Sequence, residues 1–222
     1  MSPLQHPLVR EPQQERSKQR REQILRAARI IILQKGCANL TISEIASVAG
    51  VTAGSMYQYY RNKADIVLAL GQYYVELFQQ RLGQVFTAPV LSRAELSGLF
   101  LQVLEQHYQL FLEDPVVRDI WAGTATDKDM QNLDQQDTAQ HVQFFCAVAA
   151  PFFPVDAATE LQRTLNLLVH FAIAGSRLAL EQSPEEGQNT IKSAKQMLAA
   201  GWNEFCRRYP ESQHPLAQTI PS

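Results

Sequence analysis

The sequence lacks the short motifs on which most enzymes depend. It contains no Gly-x-Gly-x-x-Gly, Walker loop, Gly-x-Ser-x-Gly or His-Glu-x-x-His pattern, and such patterns bind phosphate, carry a nucleophile or hold zinc. No apolar stretch reaches 18 residues, and no apolar segment near the N-terminus has the form of a signal peptide. These absences predict a cytoplasmic protein that is not an enzyme, uses no cofactor and does not contact a membrane.

Cysteine is scarce as well. The three cysteines, Cys37, Cys146 and Cys206, form no close pair, which argues against a disulfide framework and a thiolate zinc site. Free thiols suit a reducing cytoplasm. Cys37 is predicted to be a buried structural thiol, and oxidant sensing is the alternative role.

Residues able to bind metals are present without a metal-binding pattern. The segment Asp127, Asp129 and Asn132 is similar to the start of a calcium loop, but the glycine at the sixth position and the terminal glutamate are missing. A solvated helix start is therefore predicted there. A metal shared by histidines on separate predicted helices is the alternative to ordinary hydrogen-bonded side chains; these are His107, His141 and His170.

Charge is distributed unevenly along a chain that is long enough to form a large core. The 222 residues are 45% hydrophobic and include only 10 glycines. The net charge is −2, but residues 1–63 contain ten Lys or Arg against four Glu, a net charge of +6, and residues 64–222 carry −8. A basic end on an otherwise acidic chain predicts that only this end meets nucleic acid.

Apolar residues recur at helical spacing and nowhere alternate with period two over a convincing length, so an all-α fold is predicted. The predicted long helices span residues 15–35, 64–86, 92–112, 133–150, 156–181 and 185–209, and a short one spans 115–121.

The N-terminal residues 1–14 contain three prolines among polar residues and are predicted to form a flexible arm. A basic extension into the minor groove through Arg10 and Arg16 is the alternative. The early face of the first helix continues this charge with Lys18, Arg20 and Arg21. That face is predicted to flank the DNA backbone, with a merely solvated face as the alternative.

Residues 40–63 organise the rest of the chain, because they contain two very short amphipathic helices joined by a tight turn. Thr41 or Ser43 can cap the first helix by accepting a hydrogen bond from a free amide, and Glu44 has the spacing of a capping box. Gly50 is placed where the chain must reverse, since glycine enters the left-handed region without a steric penalty.

The second short helix can start at Thr52 or Ser55 and buries Met56 and Tyr60. Its remaining side chains are small and polar first and aromatic later. Such a surface fits the major groove, because small residues allow close approach and hydroxyls reach phosphates or base edges. An ordinary helical hairpin packed in a core is the alternative.

This stretch resembles the DNA-binding signature of the TetR family of bacterial transcriptional regulators. The shared elements are Thr41-Ile42, Ile45-Ala46, Ala49-Gly50-Val51, Gly54-Ser55-Met56-Tyr57, Tyr59-Tyr60 and Lys63. Tyr60 departs from the usual Phe. The resemblance covers about a quarter of the chain once the preceding helix is included, and it is specific because it is an ordered run.

The resemblance implies a helix-turn-helix DNA-binding domain at residues 15–62, a helical regulatory and dimerisation domain at 63–209, and a C-terminal tail at 210–222. It also implies a homodimeric repressor on a near-palindromic operator in double-stranded DNA, released by a small-molecule effector. The implied phosphate contacts are Tyr57, Tyr59 and Lys63. The residues implied to approach base edges are Thr52, Ala53, Gly54, Ser55 and Gln58, and hydroxyls for the DNA surface come also from Thr41 and Ser43.

The last two predicted helices carry apolar positions whose later members are small. Small residues let helix axes approach closely, and antiparallel helix pairs of this kind suit a two-fold interface; the resembled family builds its dimer from two such helices. Packing within the same chain is the alternative. The predicted interface residues are Leu161, Leu165, Leu168, Ala172, Gly175, Ala179, Ile191, Ala194, Leu198, Gly201, Trp202 and Phe205.

Aromatic residues are spread over the predicted helices of the regulatory domain. Apolar walls with a few polar groups are typical of a small-molecule pocket, although a helical core needs the same residues. The candidate pocket residues are Tyr74, Phe78, Phe100, His107, Tyr108, Phe111, Trp121, Phe144, Phe145, His170 and Phe171.

Two other functions are considered. A non-specific architectural DNA-binding protein without ligand control should be basic throughout, whereas the larger part of this chain is acidic. An enzyme that retains a helical hairpin would need a catalytic group of residues, and the sequence offers none.

Overall fold

All regular structure is helical in residues 11–123 and 127–209, the part of the chain that the computed structural model describes. The all-α prediction is therefore confirmed. Short 3₁₀ turns occur at Cys37–Asn39, Ala150–Phe152 and Val155–Ala157. The α-helices are α1 (Glu11–Lys35), α2 (Ile42–Val48), α3 (Ala53–Met56), α4 (Lys63–Val85), α5 (Arg93–Glu113), α6 (Pro115–Ala122), α7 (Lys128–Ala149), α8 (Ala158–Leu180) and α9 (Pro184–Arg208).

Two helix starts differ from the predicted ones by four or more residues. α1 begins at Glu11, so the last four residues of the predicted arm are helical; residues 1–10 and the predicted tail at 210–222 lie outside the described residues. α7 begins at Lys128, five residues earlier than predicted. Its start is fixed by Asp127, whose Oδ1 accepts hydrogen bonds from the amides of Asp129 and Met130, both at 3.0 Å. The acidic segment is thus a capped helix start, as predicted.

The described chain divides into two compact units. The first contains residues up to Tyr74 together with Asp114–Met130, and the second contains Val75–Glu113 and the residues from Gln131 on. The beginning of α4 and all of α6 therefore belong to the unit that holds the short helices. This division does not coincide with the predicted boundary between residues 62 and 63.

The first unit packs α1 against α2 and α6. One face of α1 is buried through Ile24, Ala28 and Ile31, and Ile45 of α2 and Met56 of α3 are fully buried. Ile66 and Leu70 add the inner face of α4. Each of the isoleucine, leucine and methionine side chains stabilises the unit by roughly 1.5–3 kcal/mol through removal of apolar surface from water.

The second unit is built on the antiparallel pair α8 and α9, which packs on α5. At one end Arg93 is buried, and its guanidinium donates to the backbone carbonyls of Phe152, Cys206 and Tyr209. The guanidinium also lies 4.0 Å from the ring centroid of Phe153. Arg93 thus joins the start of α5 to the end of α9. No helix in the described part of the chain is long and apolar enough to span a membrane.

Candidate nucleic-acid interface

Threonines begin both short helices. The Thr41 hydroxyl accepts a hydrogen bond from the Glu44 amide at 3.4 Å, and the Thr52 hydroxyl accepts one from the Ser55 amide at 3.1 Å. Both threonines have the extended backbone of an N-cap. Of the two candidates named for each helix, the structure selects the threonine. The Glu44 carboxylate accepts from the Thr41 hydroxyl at 3.3 Å and from the Lys35 ammonium.

Gly50 turns the chain between α2 and α3. Its φ of 63° lies in the left-handed region that favours glycine, and the Val51 amide donates to the Ala46 carbonyl at 2.9 Å. The Ala49 carbonyl accepts from the side-chain amide of Gln23 at 2.6 Å. The turn is therefore closed by its own backbone and attached to α1, and this fixes the direction of α3.

α3 exposes the residues that were predicted to meet DNA. Met56 and Tyr60 are buried and hold the helix on its unit. Thr52, Ala53, Gly54, Tyr57 and Gln58 are exposed, as are Thr41 and Ser43, while Ser55 and Tyr59 are half-buried. The small side chains lie in the first turn, where they allow a groove floor to approach, and the Gln58 amide offers both a donor and an acceptor.

Lys63 has backbone partners that the sequence does not reveal. Its ammonium donates to the carbonyls of Cys37 and Ala38 at 3.1 and 2.9 Å. It therefore ties the start of α4 to the 3₁₀ turn before α2. The predicted phosphate contact stays a prediction, because two of the three ammonium hydrogens already have acceptors and the third is left for a phosphate.

Replacing Lys63 with alanine is expected to destabilise the protein by roughly 1–2 kcal/mol, since two carbonyls lose a charged donor. Urea unfolding followed by circular dichroism measures this change. Arg61→Ala is the control, because Arg61 is exposed and its ion pair with Asp65 lies on the surface, and no measurable change is expected there. Unchanged stability of Lys63→Ala, together with weaker and less salt-dependent DNA binding, would show that Lys63 acts on phosphate and not on the fold.

A polar network joins α1, α4 and α6 within the first unit. The Asp114 carboxylate accepts from the Arg29 guanidinium and from the Tyr74 hydroxyl, each at 2.6 Å, and also caps α6. Burial, and then the hydrogen bond to Asp114, raises the pKa of Tyr74. Tyr74 and Trp121, which lie edge to face with centroids 6.3 Å apart, were predicted as pocket residues. The structure places both in the first unit and uses the Tyr74 hydroxyl to hold helices together.

The backbone of Cys37 also contacts α6. Its backbone amide donates to the Asp119 carboxylate of α6. Burial raises the pKa of the Cys37 thiol, the Asp119 charge adds to this increase, and Lys63 opposes it. A raised pKa leaves little reactive thiolate near neutral pH, which supports the structural role over oxidant sensing.

The remaining candidate pocket residues fall into separate groups in the second unit. His107 stacks on Phe78 with a centroid distance of 4.8 Å and lies tilted against Phe111 at 4.9 Å. Phe100 packs against Phe145 at 4.7 Å and against Trp202 at 5.4 Å. Three others are found elsewhere: Phe144 contacts Phe86, Tyr108 is buried beside Gly187, and His170 bonds to the carbonyl of Asn166 on its own helix.

His170 and Phe171 are exposed on α8. Their assignment to an internal pocket is therefore wrong, because both side chains face solvent. Asp137 and His141 were missed instead. Asp137 lies in an acidic segment that reads as solvated, yet its side chain and that of His141 are largely buried, with Oδ1 of Asp137 3.4 Å from Nδ1 of His141.

Burial shifts the pKa values of Asp137 and His107 in opposite directions. It raises the pKa of Asp137 to about 6, with a further increase from the Asp134 charge and an opposing effect of His141. It lowers the pKa of His107 to about 3, helped by His141 and Arg177. Among the described residues, Oδ1 of Asp137 has no hydrogen-bond partner. This part of the second unit therefore contains the neutral imidazole of His107, the carboxyl group of Asp137 and the flat rings of Phe78 and Phe111.

The two shifted groups have opposite effects on stability. The folded-state pKa of Asp137 lies above its unfolded value near 3.9, so its contribution to stability falls as pH rises from about 4 to 6. The folded-state pKa of His107 lies below its unfolded value, so its contribution rises with pH from about 3 to 6.5. In Asp137→Asn only the histidine effect remains.

The melting temperature of Asp137→Asn is therefore expected to increase more steeply between about pH 4 and 6 than that of the wild type. Melting curves of both proteins at pH 4, 5 and 6 measure the difference. Gln136→Asn, at an exposed position on the same helix, is the control and should follow the wild type. Parallel curves for wild type and Asp137→Asn would show that this carboxyl does not titrate as described.

An apolar cavity of about 50 Å³ lies between α5, α7, α8 and α9. Ser97 supplies its polar group, and Phe100 and Phe145 are two of its aromatic walls. Five further lining residues had been assigned to the dimer interface: Leu165, Leu168, Ala172, Leu198 and Trp202.

The predicted dimer residues mostly pack within their own chain. Leu161, Leu165, Ala179, Ile191, Trp202 and Phe205 are buried, so they have no surface left for a partner and their assignment to the interface is wrong. Leu168, Ala172, Gly175, Ala194 and Leu198 are half-buried. A Cβ on Gly175 would lie 3.1 Å from Cβ of Ala194, and one on Gly201 would lie 3.2 Å from Leu168. The small residues therefore let α8 and α9 of one chain approach each other.

Different apolar residues of these helices face solvent. Leu167, Phe171 and Leu178 are exposed on α8, and Met197 is exposed on α9. The three α8 residues are four and seven positions apart, so they form a single line along the helix. These exposed residues also recur at helical spacing in the sequence, next to the more regular set of apolar residues that is buried.

Comparison with known proteins decides the family. Residues 24–70 match the family described as "Bacterial regulatory proteins, tetR family", and residues 94–201 match "Tetracyclin repressor-like, C-terminal domain". The chain belongs to the TetR family. The members of this family are transcriptional regulators, typically ligand-responsive repressors, and are not enzymes.

Curated relatives match this TetR-family chain over part of their length. Transcriptional regulator AcuR of Cereibacter sphaeroides is 34% identical over 85 residues, which is 38% of this chain and 39% of the relative. HTH-type transcriptional regulator TtgR of Pseudomonas putida is 41% identical over 56 residues, 25% of this chain and 27% of that one. The chain thus aligns with less than half the length of either relative.

Solved structures share the TetR-family fold over most of the chain. A TetR transcription regulator from Haloarcula marismortui superposes with a TM-score of 0.65 at 18% identity, covering 84% of this chain and 98% of that one. The SmeT–triclosan complex gives 0.59 at 17% identity, covering 91% and 99%. The complex of RolR with resorcinol gives 0.57 at 20%, covering 90% and 98%.

Proposed function

We propose that this protein is a homodimeric repressor that acts in the cytoplasm, binds a near-palindromic operator in double-stranded DNA and is released by a small-molecule effector. The observation that carries the proposal is the exposed face of α3, on a hairpin held by two threonine caps and the Gly50 turn. The net charge of −2 for the whole chain does not favour DNA binding, but the net charge of +6 on residues 1–63 does.

In the proposed complex, α3 lies in the major groove. Thr52, Ala53, Gly54 and Ser55 approach the base edges, and Gln58 makes paired hydrogen bonds to an adenine. The hydroxyls of Tyr57 and Tyr59 reach phosphates, and those of Thr41 and Ser43 lie at the start of α2, where backbone amides also face an incoming phosphate. Lys63 contributes through the carbonyls that it holds, with one hydrogen left for a phosphate.

The proposed dimer forms through the solvent-facing line of α8, Leu167, Phe171 and Leu178, with Met197 of α9 beside it. Four exposed large apolar side chains on one helix pair mark an interaction surface. A second copy of the same chain fits this surface, because a two-fold axis pairs the α8–α9 face with itself. Half-buried Leu168, Ala172 and Leu198 lie behind this face as its support.

The proposed effector site is in the second unit. The rings of Phe78, His107 and Phe111 offer flat walls, and His141, which pairs with Asp137 and lowers the pKa of His107, adds polar groups, as in ligand sites. The apolar cavity near Phe100 is too small for a drug-sized molecule without side-chain movement. SmeT with triclosan and RolR with resorcinol, which share this fold, bind aromatic compounds; this supports an aromatic effector here.

Gln58→Ala tests the proposed DNA contact. The variant is expected to lose preference at one or two operator positions, at a cost of roughly 1–3 kcal/mol there, while its affinity for random DNA stays the same. Fluorescence anisotropy with operator and random duplexes measures both. Gln34→Ala is the control, because Gln34 is exposed near the C-terminal end of α1 and is not among the proposed DNA contacts. Equal losses on both duplexes would show that Gln58 does not read a base.

A further inference from the structure

The inner face of α7 carries a carboxyl group among apolar side chains. One line along this helix, at four-residue spacing, is formed by Asp137, His141, Phe145 and Ala149. Phe145 and Ala149 belong to the core of the second unit, and Phe145 also lines the apolar cavity between α5, α7, α8 and α9. Asp137 continues the same line, and its side chain is only 14% exposed. The carboxyl group therefore occupies a position that faces the interior of the unit.

The Asp137 carboxyl group lacks a good hydrogen-bond donor. Its Oδ1 is buried and has no hydrogen-bond partner among the described residues. Nδ1 of His141 lies 3.4 Å from this oxygen but only 2.8 Å from the backbone carbonyl of Asp137, so a hydrogen on Nδ1 is directed to the carbonyl. The Arg177 guanidinium of α8 is paired with Asp134 at 3.1 Å. A buried acceptor without a donor is costly, and a bound molecule that supplies the donor removes this cost.

Three aromatic rings of α4 and α5 pack together near His141. Phe78, His107 and Phe111, which we call the aromatic cluster, have ring centroids 4.8, 4.9 and 5.7 Å apart. Burial, and then the charge of His141, lowers the pKa of His107 to about 3. The His107 side chain is nevertheless half-buried and not fully buried. Accessible surface on a ring so strongly shielded from bulk water faces an enclosed space, which is where a ligand can bind.

We propose that the effector is an aromatic organic cation, whose ring lies against the aromatic cluster and whose ammonium or amidinium group donates to Oδ1 of Asp137. Ring faces attract cations, and hydrogen bonds between ionised partners are stronger than those between neutral ones. Anionic effectors are disfavoured, because Arg177 is already paired with a carboxylate and the neutral imidazole of His107 supplies no positive charge. This inference rests on the proposed effector site in the second unit.

Three probes of nearly the same shape separate the effect of charge from that of size. They are naphthamidine, naphthamide and naphthoate, each substituted at the same ring carbon, and near neutral pH they are a cation, a neutral molecule and an anion. Isothermal titration calorimetry with the full-length protein measures their dissociation constants. We expect the amidine to bind roughly tenfold or more tightly than the amide, and we expect no measurable binding of the naphthoate.

Asp137→Asn tests the assigned contact, and Glu76→Gln is its matched control. Each variant replaces one carboxylate by an amide of the same shape. Glu76 is exposed on α4, two positions before Phe78 and therefore on the opposite side of that helix. Asp137→Asn should weaken amidine binding roughly tenfold, to the level of the amide, and should leave amide binding unchanged, which also shows that the site is still folded. Glu76→Gln should change neither affinity.

Several outcomes would overturn the cation proposal. One is a wild-type protein that binds amide or naphthoate as tightly as amidine, a result that needs no variant. Another is a preference for the amidine that persists in Asp137→Asn. Absence of binding by all three probes would also overturn it, while specific operator binding by α3 would stand. Failure of the proposed effector release has a different signature: the amidine binds with the expected dependence on Asp137, but the operator complex does not dissociate.

Discussion

Replacing Phe171 and Leu178 with aspartate is expected to convert the proposed dimer into monomers and to lower operator affinity by roughly 10²–10⁴-fold. The exposed fractions of these side chains are 61% and 52% within their own chain, so the substitutions leave the core intact. In the proposed dimer, however, each places a carboxylate in an apolar contact, and a buried unpaired charge is costly. A monomer then binds one half-site and loses the effective concentration that the second subunit provides.

Sedimentation velocity and operator titration measure the two effects together. Gln162→Asp with Asn166→Asp adds the same number of carboxylates to exposed polar positions of α8 and should leave both dimer and affinity unchanged. A Phe171→Asp/Leu178→Asp variant that remains dimeric would place the interface elsewhere. Gly175→Leu and Gly201→Leu are not suitable for this test, because a side chain at either glycine presses on the α8–α9 contact of its own chain.

Arg93→Ala is expected to reduce the free energy of unfolding by roughly 3–5 kcal/mol. The buried guanidinium satisfies three backbone carbonyls and covers the Phe153 ring, and each buried acceptor left without a donor costs about 1–3 kcal/mol. The Trp202 indole also donates to the Arg93 carbonyl at 3.3 Å, so a shift of this segment spreads to the centre of the second unit. A lysine at this position offers a single ammonium, which does not reproduce the planar guanidinium with its several donors.

Urea denaturation of Arg93→Ala, Arg93→Lys and Arg81→Ala separates these effects. Arg81 pairs with an exposed glutamate on the surface of the same unit, and its removal should cost less than about 1 kcal/mol. Arg93→Lys should fall between wild type and Arg93→Ala. A loss below about 1 kcal/mol for Arg93→Ala would mean that water replaces the guanidinium and that this residue does not hold α5 to α9.

Local chemistry explains why much of the structure could be predicted from sequence. Thr41 and Thr52 can cap only a helix that starts directly after them, and Gly50 fits a left-handed position that other residues avoid. These are properties of neighbours in the chain, and the structure reproduces them. Helical periodicity likewise locates α4, α5, α8 and α9, because long amphipathic segments give the strongest pattern.

The errors concern contacts between residues far apart in sequence. Periodicity shows that Leu165 and Trp202 face an apolar surface, but it does not tell whether that surface belongs to the same chain or to a partner. Lys63 has a long, flexible side chain, so its acceptors at Cys37 and Ala38 appear only when the fold places the 3₁₀ turn beside it. Asp137 stands in an acidic segment that resembles a solvated helix start, and only the packing of α7 buries it.

Selection of bound duplexes from a random-sequence library by the purified full-length protein tests the central claim most directly. We expect one enriched near-palindrome, with half-site centres about 34–36 Å apart or a small multiple of that distance, and we expect Gln58→Ala to lose preference at one or two positions within each half. Bound duplexes that share no sequence, with retention that depends only on length and salt, would contradict specific operator recognition by α3.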